Sequence, residues 1–174
     1  MTKTKSAALP IAYVTLRILI VLNWLAGAFV LALLVFTLVN EPLAIRALGV
    51  SGFAGPRWVL MAMRGIMLLG LVGILFNNEV LKRLLAVIVT VRQGDPFVAE
   101  NAYRLNTIAW FLLLLQLLSI AISLVGKAIA NHGNPFHLSA GFSAAGWLAV
   151  ILTFVLARVF AEGTLMREDL EGTV

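Results

Sequence analysis

Four long apolar runs separated by polar punctuation organise this chain. Ile18–Val39 (ILIVLNWLAGAFVLALLVFTLV) and Leu105–Gly126 carry no charge, Trp58–Phe76 carries only Arg64, and a run from about Ser139 to Ala161 carries only Arg158. A bilayer core needs roughly 20 apolar residues per helix, so the pattern predicts spans at about 18–39, 58–76, 105–126 and 139–161. Lys3 and Lys5 with the A-x-A triplet Ala26-Gly27-Ala28 resemble parts of a secretory leader. The apolar run nevertheless continues eleven residues past Ala28, beyond the usual ~7–15 residue leader core, and is expected to remain a span.

Between the second and third runs lies the most polar stretch of the chain, VRQGDPFVAENAYRLN (Val91–Asn106). Upstream, Leu81, Leu84, Leu85, Ile88 and Val91 recur at helical spacing, with Lys82, Arg83 and Thr90 opposite. Gly94 suits the position after a helix end, Asp95 suits an N-cap, and Pro96 suits a first helical turn, where its missing N–H is harmless. The following helix carries Phe97, Val98, Ala102, Leu105 and Ile108 on one side, and Glu100 and Arg104 at a helix-supporting i, i+4 spacing. The segment 79–104 therefore predicts a helical hairpin, its first arm lying in the headgroup plane or packing on its partner. The whole chain, 1–174, is expected to be one all-α membrane domain: an integral four-helix bundle with that hairpin between spans two and three, and a tail over 162–174.

Composition fits this picture. The chain is 61% hydrophobic and 12% charged, with mean hydropathy +1.02, far more apolar than a soluble domain. The absence of cysteine excludes disulfides, thiolate nucleophiles and thiolate metal sites. A net charge of +5 raises nucleic acid as a ligand, but in a membrane protein excess base reflects topology, and no direct nucleic-acid binding is expected. Lys3, Lys5, Arg17, Lys82, Arg83, Arg92, Arg104, Arg158 and Arg167 fall on one side, against Arg46, Arg57 and Lys127 on the other. That bias predicts cytoplasmic termini and a cytoplasmic hairpin.

Polar groups inside the runs are the candidates for chemistry. Arg64 lies six positions into the second span, roughly 9 Å deep. Such a charge either snorkels to the interface or serves a function. Glu41 is its first expected partner, with Ser119 and Ser123 as fallback acceptors. Gln116, Ser119 and Ser123 form a polar seam on the third span, readable as a solute pathway or as interhelical packing. Packing is preferred, because no acid lies within a span. Gly141, Ala145, Ala149, Thr153, Ala157 and Ala161 form a small-residue row on the fourth span, suited to close packing inside the bundle or against a second copy of the chain. Asn23 is expected to bond a neighbouring helix. His132 and His137 are too few for a metal centre, and no catalytic constellation or cofactor motif is present, so no enzyme is expected.

The residues of GDPFVAENAYRLNTIAW and of the terminal VFAEGTLMREDLEGTV resemble the domain-of-unknown-function family 2975, small four-helix bacterial membrane proteins. The specific part of that resemblance is two patches. One comprises Gly94, Asp95, Pro96, Phe97, Glu100, Asn101, Arg104 and Leu105; the other comprises Glu162, Gly163, Glu168, Leu170, Thr173 and Val174. The resemblance implies the fold, a bacterial inner-membrane location and no established activity. Members of the family often appear beside a small helix-turn-helix regulator of the phage-repressor type, which implies a soluble partner. The leading expectation is a regulatory or scaffolding protein whose cytoplasmic face binds such a partner through Asp95, Phe97, Glu100, Asn101, Arg104, Glu168 and Asp169. Glu100 and Asn101 serve equally well to fix the hairpin, by pairing with Arg104 and by bonding the turn, and the acidic tail either stays solvated or docks on Lys82, Arg83 and Arg92. The alternatives are a small transporter or channel subunit using Arg64 and the polar seam, and an accessory subunit of a membrane complex.

Overall fold

The computed structural model describes residues 8–52, 55–130 and 141–171. Every regular element among them is helical: α1 Ala8–Val39, α2 Glu41–Ala47, a 3-10 turn Val50–Gly52, α3 Pro56–Gln93, α4 Ala99–Ala130 and α5 Ala144–Glu171. Four of these, α1, α3, α4 and α5, are long and apolar enough to cross a membrane. Their large side chains point largely outward, as Val21, Phe29, Leu68, Trp110 and Ile151 do. This is the arrangement expected where lipid rather than water is the surrounding solvent.

The helices outrun the predicted spans. Segment 79–93 is not a separate arm but the continuation of α3, an unbroken helix of 38 residues, roughly 57 Å long at 1.5 Å per residue. Within its polar stretch Asn77 Nδ2 donates to Asn23 Oδ1 at 2.8 Å, and Glu79 faces both Lys82 and Arg83. The tail is helical to Glu171, and the fourth long helix begins at Ala144 rather than Ser139. The short α2, with Pro42 in its first turn and Ala44 fully buried, had no counterpart in the sequence reading.

The chain separates into two compact units. One comprises 1–23, 77–113 and 144–174; the other comprises 24–76 and 114–143. The first has a core that includes Leu16, Val80, Val87, Leu105, Ile108 and Ala157. In the second, Val59 and Ile129 are packed against Leu48, Met63, Ile66 and Val125.

Candidate functional site

The first unit holds the turn between α3 and α4, and its construction begins with a helix end. Gly94 has φ 92, a conformation that costs a glycine little. Its N–H bonds to Val91 O at 3.2 Å, and that of Asp95 to Thr90 O at 3.3 Å. These are the paired bonds of a Schellman motif, which satisfy carbonyls the helix cannot. Residues 95–98 are then non-helical and α4 starts only at Ala99, so Asp95 is not the N-cap expected of it. The residue before a proline is biased away from helical dihedrals, and Asp95 precedes Pro96. Its carboxylate is used elsewhere, accepting from Arg167 of α5.

The extended segment delivers Phe97 to α5. Its ring lies 5.2 Å from that of Phe160, tilted by 37°, and directly over Gly163. A Cβ at position 163 would meet Phe97 Cδ1 at 2.8 Å, so only a glycine admits the ring here without displacing it. Phe97 over Gly163, together with Asp95 against Arg167, joins the two patches that carry the family resemblance.

Asn101 locks the turn from within. It is fully buried. Its Nδ2 donates to Thr90 Oγ1 at 2.7 Å and to Pro96 O at 2.9 Å, while its Oδ1 accepts from Arg104 NH1 at 2.9 Å. Arg104 also donates to Glu100 Oε1 at 2.6 Å, the pairing the i, i+4 spacing predicts. Thr90 passes the network on to Val87 O at 2.7 Å. Asn101 thus takes the first of the two roles open to it from sequence, fixing the turn, and, being fully buried, it presents nothing outward as a partner contact would require. The side chain of Glu100, by contrast, is 68% exposed, and Tyr103, Leu165, Met166 and Asp169 are exposed as well. An open groove of about 410 Å³ between α4 and α5 is lined by Tyr103, Asn106, Phe154 and Arg158. Arg158 donates to Glu162 Oε1 at 2.8 Å.

The acidic tail, open to solvation or to docking on Lys82, Arg83 and Arg92, has the side chains of Glu168 and Glu171 outside the described residues; the three bases have other contacts. Glu79, on the same helix, lies 3.9 Å from Lys82 Nζ and 3.7 Å from Arg83 Nε, and Arg92 stacks on Tyr13. Local i+3 and i+4 partners require no ordering of a distant segment. The side chain of Glu168 and residues 172–174 lie outside the described residues, as do His132 and His137.

In the second unit, Arg64 reaches the C-terminal end of α1. Its NH2 donates to the Thr37 carbonyl, and its Nε to Thr37 Oγ1 at 3.4 Å. Thr37 is itself buried. The expected Glu41 pairing is present at 3.8 Å, and Arg57 lies 3.4 Å from the same carboxylate. Arg64 therefore caps one of the last carbonyls of α1, which a helix leaves unbonded. The fallback acceptors serve another purpose. Ser119 Oγ and Gly141 exchange two bonds of 3.3 Å, through the glycine N–H and carbonyl. Ser123 is buried against Gly141. Gln116 is half-buried.

Gly141 consequently precedes α5 instead of opening its small-residue row, because its φ of 153 takes the backbone out of the helix. Within the row, Ala157 is buried and Thr153 and Ala161 are half-buried, whereas Ala145 and Ala149 are exposed. Among the described residues, no three His, Asp or Glu side chains converge as a metal centre would require. Thr37, Thr90 and Tyr13 were missed from sequence, since a threonine or tyrosine near a helix end carries no signal until its partner on another helix is known.

Neither the curated proteins nor the solved structures include a match to this chain. A family model does match: that described as "Protein of unknown function (DUF2975)" covers residues 46–174. This span contains both patches and the turn that Phe97, Gly163, Asp95 and Arg167 close, and with about three quarters of its length matched the chain belongs to the DUF2975 family.

Proposed function

We propose that this is a regulatory or scaffolding protein of the bacterial inner membrane, whose cytoplasmic face holds a small soluble helix-turn-helix regulator. The observation that carries this reading is the clamp between the α3–α4 turn and α5. Phe97 on Gly163, Asp95 on Arg167 and the Asn101 network rigidify a surface that the apolar spans do not need. That surface displays Glu100, Tyr103, Leu165 and Met166, a mixture of apolar and charged groups suited to a protein partner. A pre-formed surface binds at lower entropic cost than a flexible one. The excess of Lys and Arg on this side of the chain supports its placement in the cytoplasm.

The transport alternative has less support, because Arg64 is engaged as a helix cap and Ser119 as a bracket for Gly141. The test of the leading reading is to identify the product of the gene neighbouring the chain's own and, where it is a helix-turn-helix regulator, to co-purify the two in detergent. The native protein is expected to retain the regulator. The variant Glu100→Ala/Tyr103→Ala, which removes no bond of Asn101 and no contact of the clamp, should lose it by at least about tenfold, equivalent to about 1.4 kcal/mol. Equal retention by both proteins refutes this placement of the contact.

A further inference from the structure

Tyr13 of α1 carries two arginines on one ring. The guanidinium carbon of Arg17 lies 5.0 Å from the ring centroid and that of Arg92, in the last turn of α3, lies 5.2 Å from it. Both distances are within cation–π range. Two like charges gathered at one ring repel each other, and the usual remedy is a carboxylate. Among the described residues, no ion pair involves Arg17 or Arg92. Among the described residues of this unit, Glu79 pairs with Lys82 and Arg83, Asp95 with Arg167, Glu100 with Arg104 and Glu162 with Arg158.

The position of the pair says what kind of anion would fit. Arg17 is the last charge before the uncharged run Ile18–Val39, which places it where a spanning helix meets the headgroups. A tyrosine at that level is the usual interfacial residue. Immediately beyond it, Val14, Ile18 and Val21 are exposed. Their i, i+4, i+7 spacing forms an apolar stripe alongside Arg17. A phosphate held by two planar guanidiniums, with an apolar track leading away from it, matches an anionic phospholipid: phosphate against arginine and acyl chain against the stripe.

We propose that Arg17, Arg92 and Tyr13 form a binding site for the phosphate of an anionic phospholipid, with Tyr13 holding both guanidiniums in place by stacking. The ring orients the cations and leaves their N–H groups free to donate to phosphate oxygens. An anionic lipid then tethers the start of α1 to the end of α3.

Native mass spectrometry of the full chain in neutral detergent tests this, with phosphatidylglycerol, phosphatidylcholine or inorganic phosphate added. The native protein is expected to retain phosphatidylglycerol in preference to phosphatidylcholine. Arg17→Gln/Arg92→Gln should reduce that preference roughly tenfold, the effect of losing charge-assisted contacts. Arg158→Gln, which removes another exposed positive charge, one on α5 paired with Glu162, should leave it intact. Tyr13→Phe keeps the ring and should keep the preference, whereas Tyr13→Leu should weaken it. Unchanged preference in the double variant, or an equal loss in Arg158→Gln, overturns the site. Competition by inorganic phosphate as effective as that by the lipid overturns the lipid as its ligand.

Discussion

Replacing Asn101 by alanine is expected to destabilise the protein by about 3 kcal/mol, on a scale of about 1 kcal/mol per neutral hydrogen bond and somewhat more for one from a charged donor. The substitution removes two donors and one acceptor at once from a side chain with no exposure to solvent. It leaves the Pro96 carbonyl without its partner and takes one from Arg104. Glu100→Ala, which also removes a partner of Arg104, provides the contrast. Its ion pair is 68% exposed on the carboxylate side, so it should cost no more than about 0.5 kcal/mol. Denaturant titrations in mixed micelles, followed by tryptophan fluorescence, measure both. A change below 0.5 kcal/mol on the scale of such surface pairs for Asn101→Ala contradicts the role assigned to it.

The second large effect is expected at Arg64. Arg64→Met keeps most of the apolar stem and removes the donors to Thr37. Because the Thr37 carbonyl and hydroxyl are buried at the end of α1, losing their donor should cost about 2–3 kcal/mol. Glu41→Gln separates this cap from the ion pair. The Glu41 side chain is 39% exposed and 3.8 Å from Arg64, and solvent screening limits such a pair to about 0.5 kcal/mol. The expected order is therefore Arg64→Met well above Glu41→Gln in the same unfolding assay. Equal costs show that the charge pair, not the helix cap, is what Arg64 supplies.

What the sequence made legible is what local chemistry determines. The apolar runs predicted four long helices because burial in lipid tolerates few charges over about 20 residues, and Gly94 marked a helix end because its conformation excludes most side chains. The pair Glu100–Arg104 followed from i, i+4 spacing alone. Asp95 misled because its local context suits an N-cap, while the position of Phe97 is set by the gap over Gly163 on a helix some sixty residues away in sequence. The unbroken α3 was hidden for a similar reason. Its polar middle finds partners in Asn23 of α1 and in Glu79, the first of which lies on another helix. For Arg64 the acid Glu41 was legible as a charge, but the dominant acceptor is a backbone carbonyl, which every residue carries and no pattern reveals. The two family-like patches were readable as separate stretches; that they close on one another through Phe97 and Arg167 required the fold.

The functional account depends on the clamped turn facing the cell interior. Because the chain contains no cysteine, single introduced thiols report on this without background. Glu100→Cys lies on the turn side and Leu43→Cys on α2, both at exposed positions. With a membrane-impermeant maleimide, Leu43→Cys is predicted to label in cells whose outer membrane alone has been opened, and Glu100→Cys only after the inner membrane is disrupted. Labelling of Glu100→Cys in the former, with Leu43→Cys protected, contradicts the account.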